Sequence, residues 1–77
     1  METIKLTGKI IEGNCIGAPL QSCKSVDVPT KRRGIVEVDG IAYERTVYER
    51  IRWRNSAKND VRASFVIVNG TNYEVEG

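Results

Sequence analysis

Apolar and polar residues alternate with a period of two through most of the chain, which predicts strands. From Thr3 to Ile11, Ile4, Leu6 and Ile10 point one way while Lys5, Thr7 and Lys9 point the other. Gly8 falls on the apolar side, where a glycine permits sharp coiling or a close backbone approach, and Glu12-Gly13-Asn14 ends the element. The pattern is poor from Cys15 to Ser25, with Gly17 and Pro19 marking a turn, and this stretch reads as an irregular loop or a short edge segment. Ser25 to Val28 resumes the alternation. Pro29 is expected to stop it, and Thr30-Lys31-Arg32-Arg33-Gly34 reads as a basic turn.

Ile35 to Tyr43 carries the strongest hairpin signal, because Asp39-Gly40 supplies the positive φ that a two-residue type I′ loop requires. Such a loop pairs Val38 with Ile41 and Val36 with Tyr43, placing four apolar side chains on one face. The stretch from Glu44 to Arg54 is ambiguous, since Tyr43, Val47 and Ile51 also recur with helical spacing. A strand is preferred for its β-branched and aromatic content and for the lack of a helix cap before it. Fourteen residues from Ile41 to Arg54 make a long strand, so a bend or bulge is expected near Arg45 or Glu49.

Asn55 to Asp60 is a polar connection. Val61 to Val68 follows, and its last four residues are apolar on both faces, as in a central strand. Asn69-Gly70 opens a final hairpin into Thr71 to Glu76. A two-residue loop sets Tyr73 and Val75 beside Val66 and Ser64. A three-residue loop with a bulge sets them beside Ile67 and Phe65, which pairs more apolar area, and the sequence leaves both registers open. Five or six short strands joined by tight turns predict one all-β domain over residues 1–77. The expected architecture is a small antiparallel barrel or strongly coiled sheet, SH3-like or OB-like, with 44–54 as the one segment that a helix would also fit.

Composition narrows the classes. The chain has 77 residues, 40% of them apolar and 29% charged, which suits one small folded domain and argues against disorder. Its net charge of +2 is too small to imply a polyanion partner, but residues 30–62 hold nine basic side chains against five acidic ones. The N-terminal residues lack the continuous apolar region of a signal peptide, and no apolar run approaches the ~20 residues of a membrane span, so a cytoplasmic location is expected. In that setting Cys15 and Cys23 read as reduced thiols. The alternative is a disulfide closing the loop between them, which would contribute about 2 to 3 kcal/mol.

Most catalytic chemistry lacks its residues. There is no His, so Ser-His and Cys-His nucleophiles and histidine metal sites are absent, and two Cys cannot complete a zinc site. Gly13, Gly17 and Gly34 are not in phosphate-loop spacing. No enzyme activity and no cofactor are expected.

What remains is a basic face. On a strand, Arg50, Arg52 and Arg54 would lie about 7 Å apart with Tyr48 beside them, close to the phosphate repeat of an extended single strand. Lys31, Arg32, Arg33, Lys58 and Arg62 would widen the patch, while Trp53 would face the core. This predicts a non-enzymatic protein that binds single-stranded DNA or RNA through the basic strand and adjacent turns. The alternative is a protein-interaction or inhibitor module, such as an accessory protein of a mobile genetic element, docking through an acidic surface on a larger host protein. A homo-oligomer formed through an unpaired strand edge, with Phe65 to Val68 as the exposed segment, belongs to that alternative.

Overall fold

A computed structural model describes residues 1–13, 25–52 and 61–77. They form six strands and no helix: β1 (Glu2–Thr3), β2 (Leu6–Ile10), β3 (Ser25–Val38), β4 (Ile41–Arg52), β5 (Val61–Val68) and β6 (Thr71–Val75). The sheet order is β1-β3-β4-β5-β6-β2, a mixed sheet that curls into a half-barrel. Its two outermost strands are consecutive in the chain. The N-terminal segment therefore joins both ends of the sheet, β1 running parallel to β3 and β2 antiparallel to β6. At the crossover, Ile4 N–H donates to Ile35 O at 2.8 Å and Glu76 N–H to Lys5 O at 2.9 Å.

The concave face holds the core: Ile4, Val36, Val38, Val47, Val66, Val68 and Val75, flanked by half-buried Leu6, Tyr43 and Tyr73. β-branched side chains suit this role, packing on a pleated surface at little further loss of rotamer freedom. Gly34 is required by a close approach. A Cβ there would meet Glu2 O at 2.6 Å and the Ile4 side chain at 2.8 Å, so the missing side chain is what lets β1 lie against β3.

The predicted first hairpin forms in its predicted register, with Val38 opposite Ile41, Val36 opposite Tyr43, and Asp39 and Gly40 at φ +54° and +79°. Ile41 nevertheless remains 56% exposed at the hairpin tip. Residues 44–52 are strand and not helix. The final hairpin takes the two-residue register, Val66 opposite Tyr73 and Val68 opposite Thr71, which settles the choice the sequence leaves open. Asn69 and Gly70, at φ +51° and +79°, form a type I′ turn. This places Val66 and Val75 in the core and leaves Phe65 and Ile67 on the other face, so apolar area is matched across the barrel and not along the hairpin.

Three further expectations are corrected. Pro29 does not end a strand: β3 runs through it to Val38, and Thr30 to Gly34 is not a turn. Counting back from the hairpin, the backbone groups of Pro29 face away from β4, so no ladder hydrogen bond is lost. Thr30 to Arg32 instead form a bulge opposite Val47, where Thr30 Oγ1 donates to Val47 O at 2.7 Å and accepts from Arg32 N–H at 3.2 Å. Bulges of this kind bend a strand and sharpen its twist. In the N-terminal strand the register jumps between Leu6 and Ile10 around Gly8 at φ +94°, and Ile10 emerges 55% exposed. Finally, Phe65 to Val68 is not an uncovered strand: it pairs with β6 throughout and Phe65, Val66 and Val68 are buried, and only its β4 side beyond Phe65 has no strand partner among the described residues.

Candidate interaction surface

β3, β4 and β5 place Arg33, Thr46, Tyr48, Arg50, Asp27, Phe65 and Ile67 on the convex side of the sheet. The best-defined feature there is an ion pair. Asp27 and Arg50 are directly opposite across β3 and β4, and the guanidinium grips the carboxylate with both arms, Nε to Oδ1 at 2.7 Å and an Nη to Oδ2 at 2.9 Å. The Asp27 side chain is 1% exposed and that of Arg50 15%. Arg50 also donates to Glu12 O at 2.8 Å and Gly13 O at 3.2 Å, and Asn72 Nδ2 donates to Gly13 O at 2.8 Å. The same guanidinium lies 5.6 Å above the Phe65 ring, which stacks on Tyr48 at 5.8 Å. Arg50 thus binds the 12–13 bend to the sheet and closes over Phe65, which is fully buried.

Of the other predicted basic residues, the structure describes the side chains of Lys31, Arg32 and Arg33. Arg32 and Arg33 are adjacent on β3 and diverge, Arg32 pairing with Glu2 at 3.1 Å and donating to Glu76 O, Arg33 pairing with Glu44 at 2.7 Å and donating to Thr46. Lys31 is exposed at the bulge. Tyr48 is half-buried against Phe65. Arg52 takes the next even position of β4 after Arg50, and Arg62 lies in β5. Arg54 and Lys58 lie outside the described residues, as do Trp53, Cys15 and Cys23. Every arginine whose side chain is described is held by intramolecular partners, and carboxylates match three of the four.

Arg45 is the residue that the period of two did not single out. It occupies an inward register position between Tyr43 and Val47, the interruption of the apolar face noted in the sequence. Its guanidinium lies 5.0 Å over Tyr43 and reaches across to β5, donating to Ile67 O at 3.1 Å and back to Glu44 O at 2.8 Å. The β4–β5 ladder runs from Tyr48–Phe65 to Ile51–Val61, so among the described residues Ile41 to Thr46 pairs with β3 alone. Where β4 parts from β5, a shallow depression of about 290 Å³ is lined by Arg33, Glu44, Arg45, Thr46, Tyr48 and Ile67. Ile67 also borders a second depression of about 370 Å³, next to Ile10, Thr71 and Asn72. The two form a trough of mixed polarity along the convex face.

Among the described residues no group of His, Cys, Asp or Glu side chains is arranged to hold a metal ion, and no helix is long and apolar enough to cross a membrane. No family model, curated protein or solved structure matches the chain.

Proposed function

We propose that this protein is a non-enzymatic interaction module that docks on another protein through the convex trough of β4 and β5. The observation that carries this reading is the way the described arginines are used. They are internally paired, so the surface combines apolar side chains (Ile10, Ile67), a half-buried tyrosine and matched charges. That is the mixture of protein contacts and not of a phosphate track. A partner that is itself acidic remains compatible, because Lys31 and Arg33 are exposed on the neighbouring strand.

The test is affinity capture with the tagged protein before and after nuclease treatment of the lysate, paired with a direct titration of single-stranded DNA and RNA at low salt. A protein partner retained after nuclease, and lost when Ile67→Glu and Tyr48→Glu alter the trough, is the expected result. Tight binding to single-stranded nucleic acid, with a steep salt dependence and no protein retained, would overturn it.

A further inference from the structure

The parting of β4 from β5 leaves main-chain groups exposed in a regular order. In a two-residue type I′ hairpin the closing pair, here Val38 and Ile41, is hydrogen-bonded, so the odd residues of β4 turn their N–H and C=O toward β3 and the even residues turn theirs toward β5. The side-chain bonds agree with this assignment: Val47 O is reached from β3 by Thr30, and Glu44 O is reached on the far side by Arg45. Tyr48 meets its partner Phe65, but among the described residues Ala42, Glu44 and Thr46 have no partner strand on that side. On β5, Ile67 turns its carbonyl toward the same gap and receives Arg45 Nε.

We infer that this gap is a strand-addition site, in which an extended segment of a partner protein pairs antiparallel with Ala42, Glu44 and Thr46 and displaces the Arg45 guanidinium. The inference rests on the interaction-module reading above and supplies its mode. Three features identify an extended peptide as the occupant. The unpartnered groups recur every second residue, about 7 Å apart, a spacing that another β-strand matches group for group. Arg45 already holds the carbonyls of Glu44 and Ile67 at 2.8 and 3.1 Å, standing where the donors of an added strand would stand. The gap also lacks the usual protection of an edge: the free edge of β3 carries Pro29 and a bulge and β2 carries the Gly8 irregularity, whereas Ile41 to Thr46 has no proline, no glycine and no register break with β3. Arg45 is its single blocking charge. Released from the carbonyls, Arg45 and the nearby Arg33 together exceed the one carboxylate of Glu44, so the segment carries an acidic side chain near Arg45 among β-branched and apolar neighbours.

The probe is a library of linear dodecapeptides displayed on phage and selected against the intact protein, with the enriched peptides then made synthetically. Amide hydrogen exchange is followed by NMR with and without peptide. The expected result is an alternating footprint, in which the amides of Ala42, Glu44 and Thr46 gain at least tenfold protection on binding while those of Tyr43 and Arg45, already in the β3 ladder, change little. Thr46→Pro removes one outward donor and no β3 ladder bond, so it weakens binding at least tenfold, and Arg45→Ala, which removes the cation facing the segment's acidic side chain, abolishes the selection for that acid among the enriched peptides. Peptides or a captured protein that bind without the alternating footprint, or indifferently to Thr46→Pro, overturn strand addition and leave the interaction reading standing. No enrichment, together with no nuclease-resistant partner, overturns both.

Discussion

Removing Asp27 tests whether Arg50 belongs to the fold or to a binding face. Asp27→Ala strips the guanidinium of a two-armed carboxylate at 2.7 and 2.9 Å and leaves it, 15% exposed, on the carbonyls of Glu12 and Gly13. Breaking a buried pair from one side costs about 3–5 kcal/mol, and the two remaining acceptors place this case near the lower end, about 3 kcal/mol. Arg50→Ala costs more, about 4–5 kcal/mol, because the Asp27 carboxylate at 1% exposure loses the guanidinium facing it. Small domains hold about 0.05–0.15 kcal/mol per residue, roughly 4–12 kcal/mol for this chain, so either change removes a large share of the stability. At roughly 4–8 °C per kcal/mol, Asp27→Ala lowers Tm by about 12–24 °C. The assay is urea unfolding followed by circular dichroism and tryptophan fluorescence, closed as a double-mutant cycle. The double variant is expected to cost at least about 2 kcal/mol less than the sum of the two single ones, with the coupling retained in 1 M salt because the pair is shielded from solvent. Additive single effects, or a cost below about 1 kcal/mol for Asp27→Ala, would refute the reasoning and return Arg50 to the surface.

Gly34→Ala drives a methyl group into Glu2 O and Ile4, so it is expected to cost about 1–3 kcal/mol in urea unfolding and to deprotect the Ile4 amide in hydrogen exchange. Gly70→Ala forces a side chain into φ +79° and is expected to cost about 1–2 kcal/mol, with no change in the register that cross-strand NOEs between Val66 and Tyr73 report. Glu44→Ala removes an exposed ion pair with Arg33 and is expected to shift stability by no more than about 1 kcal/mol, a contrast with Asp27→Ala that thermal melts side by side will show.

Much of the fold was legible in the residues. Asp39-Gly40 fixed the first hairpin because turn chemistry and burial pattern agree there, and the strand character of residues 44–52 followed from side-chain type. The candidate surface was legible only in part, and the reason is the bulge at Thr30 to Arg32. An unbroken ladder from that hairpin would set Arg50 opposite Pro29, while the two extra residues slide Asp27 into that place. Nothing in a period of two announces a bulge, so the sequence does not show that Arg50 faces Asp27. The register of the last hairpin was not legible for a related reason. Apolar area within its two strands pointed to the longer loop, yet Phe65 finds its cover in Tyr48 and Arg50 on β4, outside that hairpin.

The N-terminal segment that joins both ends of the sheet also bears on how the chain reaches its folded state during synthesis. Thr7 donates to Glu74 across 67 residues of sequence, whereas β3 and β4 close through a two-residue turn. At about 5–20 residues per second, β2 leaves the ribosome some 3–13 s before the strand it must pair with. Throughout that interval β2 has no β6 to pair with, whereas β3 and β4 leave the ribosome together and need only their two-residue turn to meet. Closure of the half-barrel is therefore the late event, and the length of time for which the N-terminal strand goes unpaired is set by the rate of translation.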